Sequence, residues 1–218
     1  MPTVAFDVIG TLFSLDRPRQ ALASRGAPPL SLELWFAQTL RDAMALAHSG
    51  GYRPFAEIMQ AALQRLAPAI GLEEGMVPEV MEAFRQLEPV DGAEEAVTRL
   101  SEAGWRIVAL TNGSEDSTRS LLRRAGFEDR FAAARSCDEV RTTKPHPRVY
   151  AMAKEEAEGE LWLVAAHAWD VAGAARAGLR TAWVSSVEGR YLSVYPEPDV
   201  IASDLRDAAD HLIEQAAR

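Results

Sequence analysis

The stretch Thr3-Val4-Ala5-Phe6-Asp7-Val8-Ile9-Gly10-Thr11-Leu12-Phe13 decides how this chain is read. A short apolar run of β-favouring residues leads into a single carboxylate, and a Gly-Thr turn comes three residues later. In an open α/β sheet that order holds Asp7 at the carboxyl edge of a strand, where such folds place their ligands. Desolvating a charge at a strand end costs several kcal/mol unless something compensates it, so Asp7 reads as a nucleophile or an ion ligand. The plainer alternative is a helix-capping aspartate.

Composition narrows the function. The net charge of -9 and the pI near 5.0 argue against a nucleic-acid or anionic-membrane surface, both of which would repel most of the molecule. A small anionic substrate stays open, because local pocket charge can oppose the global sign. No apolar run reaches the roughly 18 to 20 residues that span a bilayer, and the N-terminus lacks a basic-then-apolar order, so a cytoplasmic protein is expected. Cys137 is the only cysteine, which excludes an intrachain disulfide and a cysteine-rich metal site.

After Phe13 the pattern turns helical for some 75 residues. Apolar residues recur at helical spacing from Leu30 to Ala47, from Pro54 to Ala69 and from Val77 to Leu87, as in a helical insertion. From Pro89 onward helices and strands alternate, which favours a parallel sheet with right-handed crossovers. Strands are expected at Trp105 to Leu110, Ala132 to Cys137, Leu161 to His167, Thr181 to Ser185 and Asp199 to Ala202, with a closing helix from Leu205. Residues 1–13 and 89–218 then make the core, and 14–88 the insertion.

Four polar groups fall at or beyond strand ends: Asp7, Thr111 with Asn112, Lys144, and Asp170. In a parallel sheet all such ends point one way, so these groups should converge on one pocket. His167, three residues before Asp170, would stand at the pocket wall as a proton carrier near neutral pH, or else fill space as a hydrogen-bonded histidine.

These residues carry a resemblance along the whole chain to the haloacid dehalogenase superfamily. FDVIGTLF resembles its nucleophile motif, LTNGS the second motif, KPHPRVY the lysine motif and WDVAGAARAGLRTAWV the last acidic motif. The segments DEVRTTKPHPRVY and AHAWDVAGA are most similar to the type II branch, the 2-haloacid dehalogenases. The resemblance implies a Rossmann-like α/β core with an inserted all-helical cap, and covalent catalysis in which Asp7 attacks carbon or phosphorus. Thr111 and Asn112 would donate hydrogen bonds to substrate or nucleophile oxygens. Lys144 would keep Asp7 ionised, and Asp170 would anchor Lys144 or position the hydrolytic water. Ile9, Gly10, Phe36 and Gly113 would contact substrate, and a homodimer is an expectation on the same ground.

The departures separate the candidate reactions. Superfamily phosphatases have a second Asp two residues after the nucleophile, which serves as acid and base; here that position is Ile9, a loss of roughly 10² to 10⁴ for phosphate esters. They also tend to carry two acids in the last motif, where this chain has Ala166 and Asp170, a meagre Mg²⁺ site. The dehalogenase branch typically has an arginine beside a Trp on the first cap helix; ungapped alignment on Trp35 puts Phe36 there, leaving Arg41 or Arg53 to reach in. It also has Ser and Asn where this chain has Ala165 and His167. The expectation is a hydrolase acting without cofactor on a small anionic organic substrate of the 2-haloacid type. The alternatives are a phosphatase using Mg²⁺ and a binding protein that has lost its chemistry.

Overall fold

The computed structural model describes residues 1–216. Six strands, β1 (Thr3–Asp7), β2 (Arg106–Thr111), β3 (Ala133–Ser136), β4 (Leu161–Ala165), β5 (Arg180–Val184) and β6 (Val200–Ala202), form one sheet in the order 3-2-1-4-5-6. Every pairing is parallel. The β1 sequence TVAFD is buried throughout because that strand is central and covered on both faces, as parallel sheets require. One face carries Phe6, Trp162, Val164 and Ala182 against α5 (Ala93–Glu102) and α10 (Leu205–Ala216). The other carries Ala5, Leu110 and Leu163 against α8 (Pro147–Glu156) and α9 (Ala168–Arg176).

Register places the candidate residues. Asp7 pairs in register with Leu110, so Thr111 lies one residue further along β2, and Phe6 pairs with Val164 near the end of β4. The carboxyl ends of the central strands therefore share one edge of the sheet, as the alternating pattern implied. Beyond Asp7 the chain folds back tightly: the amides of Leu12 and Phe13 both donate to the Val8 carbonyl, and Gly10 takes φ +84°, which favours glycine.

The stretch between β1 and α5 is helical, with α1 (Asp16–Ala23), α2 (Ser31–His48), α3 (Phe55–Leu66) and α4 (Val77–Ala83). It leaves and returns through two adjacent segments, tied by Ser14 N to Glu88 O at 2.8 Å and Val90 N to Leu12 O at 2.9 Å. Trp35 anchors its interior: the fully buried indole meets Phe84 edge-on at 5.1 Å and donates to the Met59 carbonyl at 2.8 Å. The periodicities at Pro54 to Ala69 and Val77 to Leu87 each resolve into an α-helix followed by a short 3-10 turn, Ala67–Ile70 and Phe84–Gln86. The strand expected to run to His167 stops at Ala165, because the His167 carbonyl already accepts from Asp170 N and Val171 N and so starts α9. On the carboxyl edge the remaining short helices are α6 (Glu115–Arg124) and α7 (Cys137–Val140).

Candidate active site

Asp7 lies at the end of β1, only 6% exposed, and both of its oxygens are engaged. Lys144 Nζ donates to Oδ1 at 2.9 Å and Thr11 Oγ1 donates to Oδ2 at 2.6 Å. Thr11 in turn accepts from the Ala166 amide at 3.0 Å, which stitches the β1 turn to the end of β4. Lys144 is fully buried and also donates to Asp170 Oδ2 at 2.7 Å. Tyr150 completes the chain by donating to Asp170 Oδ1 at 2.6 Å.

A buried ammonium shared by two buried carboxylates leaves one negative charge in excess, and the three groups respond differently. Burial alone would raise the pKa of Asp7; the Lys144 ammonium, with His167 and the Thr11 hydroxyl, outweighs it and holds the carboxyl below its usual range. Asp170 goes the other way, raised by burial and by the like charge of Asp7 despite its bond to Lys144. Lys144 is lowered by burial but raised overall by the two carboxylates, Asp170 first. Asp7 is thus the carboxylate kept ionised, and Asp170 carries the cost of proximity.

Asn112 is fixed through its carbonyl oxygen, which accepts from Thr143 Oγ1 at 2.8 Å, Lys144 N at 3.0 Å and Cys137 Sγ at 3.1 Å. The amide nitrogen is left for the cavity, which Asn112 lines beside Thr111. Thr111 Oγ1 accepts from Gly113 N at 2.9 Å, so its proton can be offered elsewhere. Cys137 itself is buried and its thiol is pushed up to about 12 by burial, which makes it a donor to Asn112 rather than a nucleophile.

The cavity over Asp7 is narrow, about 10 Å³, room for a single water. Its opposite wall comes from the inserted helices: Phe36 and Leu40, one turn apart on α2, and Phe55 at the start of α3. Ile9, Trp169 and His167 complete the lining. His167 is 7% exposed, stacked on Trp169 at 5.7 Å, with the Phe36 ring tilted against it at 5.9 Å.

The structure brings together Asp7, Thr111, Asn112, His167, Ile9 and Phe36 around this space, with Lys144 and Asp170 directly behind Asp7. Gly10 packs its backbone against the His167 ring, and Gly113 faces an adjoining groove with Ile9 and Ser114. Arg41 pairs with Asp42 at 2.8 Å on the surface instead of reaching in. Arg53 lines a small neighbouring cavity that shares Phe55 and Asn112 with the first. Sequence reasoning assigned no role to Thr11, Tyr150 or Glu188. The first two lie inside motifs already quoted, and Glu188 carries no sequence signal, because only folding brings its loop against α9.

The donor set suits a divalent cation poorly. Asp7 and Asp170 already share an ammonium, Ile9 and Ala166 offer no side-chain oxygen, and no group of three or more His, Cys, Asp or Glu is arranged for a metal among the described residues.

An open parallel sheet with a polar cluster at its carboxyl edge, roofed by helices inserted after the first strand, defines a doubly wound α/β protein with its cavity at that edge. The chain belongs to the haloacid dehalogenase-like hydrolases, whose family model matches residues 1–178. It is similar to haloacetate dehalogenase H-2 of Moraxella sp. (strain B), 28% identical over 96% of each chain. It is also similar to an (S)-2-haloacid dehalogenase of Xanthobacter autotrophicus, 30% identical over 87% of this chain and 77% of the other. Among solved structures, the L-2-haloacid dehalogenase from Xanthobacter autotrophicus with chloropropionic acid covalently bound superposes with a TM-score of 0.83 at 26% identity, covering 96% of this chain and 97% of that one. These relatives bear out the type II 2-haloacid dehalogenase resemblance and the hydrolase assignment.

Proposed function

We propose that this protein hydrolyses small 2-halocarboxylates through an ester formed on Asp7, without a metal ion. The observation that carries the reading is a buried carboxylate kept ionised by Lys144, next to Ile9 where a phosphatase needs a proton donor. In the first step an Asp7 oxygen attacks the carbon bearing the halogen, that carbon–halogen bond breaks, and halide leaves. Water then hydrolyses the ester and frees the 2-hydroxy acid. The covalent chloropropionic acid adduct of the Xanthobacter relative supports this course.

The residues divide the work by position. Lys144 keeps Asp7 anionic before attack, and Thr11 holds the second oxygen so that the carboxylate cannot rotate. Asp170 anchors Lys144: wholly buried, with its oxygens taken by Lys144 and Tyr150, it has no free face for a water. The Asn112 amide and the Thr111 hydroxyl are donors for the substrate carboxylate. The helices from 14 to 88 act as a cap whose Phe36, Leu40 and Phe55 exclude water and limit substrate size.

The test is halide release from a panel of 2-chloro- and 2-bromoacids with wild type and Asp7→Asn. The expected outcome is release by wild type in buffer containing a chelator, and a loss on the order of 10⁴-fold in the variant. No release from any member would overturn the dehalogenase reading, and hydrolysis of phosphate monoesters stimulated by Mg²⁺ would replace it with the phosphatase.

A further inference from the structure

The second half of the proposed cycle needs a base, and none of the groups assigned so far can serve. Asp170 is wholly buried, bonded to Lys144 and Tyr150 and outside the cavity lining, Lys144 is held protonated between two carboxylates, and Asp7 is itself the ester at that stage. Among the described residues, six buried side-chain polar atoms have no hydrogen-bond partner, and His167, whose Nε2 is one of them, is the only residue of that set that lines the Asp7 cavity. A buried, unpartnered imidazole nitrogen costs free energy unless something arrives to bond it.

The ring is held in a fixed pose. Trp169 stacks on it nearly parallel at 15°, and Phe36 packs against it tilted at 35°. Nδ1 lies 3.4 Å from Glu188 Oε1, a long contact, while Glu188 Oε2 is tied down by the Ala168 amide at 3.0 Å. Glu188 therefore selects the tautomer with the proton on Nδ1 and leaves the lone pair of Nε2 on the side of the β1 turn. The turn is shaped around it, since a Cβ at Gly10 would stand 2.6 Å from Nε2. Resting on the aspartyl-ester reading above, we propose that His167, positioned by Glu188, is the general base that activates water against the Asp7 ester.

The step balances without an external reactant. Water oxygen bonds to the Asp7 carboxyl carbon as Nε2 takes one of its protons. The tetrahedral intermediate then collapses: the bond from that carbon to the substrate oxygen breaks, and the proton on Nε2 passes to the departing oxygen, giving the hydroxy acid. Asp7 is left as the free acid and gives its remaining proton to the neutral imidazole, which releases it to solvent. Over the whole cycle one organohalide and one water give one hydroxy acid, one halide and one proton.

The charges facing His167 add a switch. Those from neighbouring elements are Asp7 on β1, Glu188 in the loop after β5 and Asp170 on α9, with Lys144 behind Asp7. Burial lowers the imidazole pKa, but Glu188 and Asp7 raise it overall. Esterification removes the charge on Asp7, so the imidazole sheds its proton more readily at the stage when a base is needed.

Pre-steady-state halide release and intact-protein mass on wild type, His167→Ala and Glu188→Gln form the experiment. With His167→Ala we expect one equivalent of halide in a burst, steady turnover lower by roughly 10² to 10⁴, an adduct mass accumulating on Asp7, and partial recovery when free imidazole is added in its neutral form. With Glu188→Gln the acid limb of the kcat profile moves to lower pH. His167→Ala turnover within a few-fold of wild type, with no adduct, would overturn the base assignment; should that variant not fold, an unmoved acid limb in Glu188→Gln would do the same. Halide release by wild type that disappears in Asp7→Asn upholds the earlier reading whatever His167 does, whereas a silent wild type removes both.

Discussion

The two walls of the Asp7 cavity are built on opposite principles. Behind Asp7, the sheet supplies a closed polar chain from Thr11 through Asp7, Lys144 and Asp170 to Tyr150, with the bonds between neighbours from 2.6 to 2.9 Å. In front of it, the helical insertion supplies Phe36, Leu40 and Phe55, with the Phe36 ring against that of His167. One side fixes Asp7 and its charge; the other shapes what can approach it. A fully satisfied network resists change because each partner's loss strands another buried group, while an apolar wall can be recut one side chain at a time.

The largest effect on that contrast should come from Lys144→Met. It leaves Asp7 and Asp170 buried without a counter-ion, so denaturant unfolding should show a loss of about 3 to 5 kcal/mol, and halide release should stop because Asp7 now holds its proton. A variant of near wild-type stability would mean that the chain behind Asp7 is not the rigid wall described.

Recutting the front wall should be milder. Phe36→Ala opens the cavity toward α2, so the preference for two-carbon over four-carbon 2-haloacids, measured as a ratio of kcat/KM, should shrink by about tenfold. An unchanged ratio would show that the insertion does not set substrate size.

The smallest effect is one of pH. The folded-state pKa of His167 is raised, so its contribution to stability is fully present below the ordinary imidazole value of about 6.5 and is lost as pH rises through the folded value. His167→Ala should therefore flatten the fall in stability above pH 6.5 seen by thermal unfolding; a wild-type slope in the variant would mean that the imidazole does not titrate against Asp7 and Glu188.

How much was legible in advance follows the same division. Asp7, Lys144 and Asp170 in the polar wall could be read from one chain because they end or follow strands, and a parallel sheet sends all such ends to one edge; Thr11 in the turn and Tyr150 on α8 were not read. Lys144 meets Asp7 across 137 positions for that reason. The front wall was harder. Helical periodicity identified α2 and α3 as packed helices, yet it could not say which side of Phe36 or Phe55 would lean over the sheet, since that depends on how the insertion is tied at residues 14 and 88. His167 was visible as a substitution at a strand end; its partner Glu188 was not, because the loop after β5 has no periodicity to orient it.

The central claim, attack by Asp7 on carbon, is tested most directly by a single turnover with enzyme in excess in H₂¹⁸O, followed by mass analysis of the peptide holding Asp7 and of the product. Nucleophilic attack by the carboxylate predicts that the heavy oxygen appears in Asp7 while the hydroxy acid carries an unlabelled oxygen taken from the protein. Label in the hydroxy acid with none in Asp7 would mean that water reaches the substrate carbon itself, and the account given for this site would be contradicted.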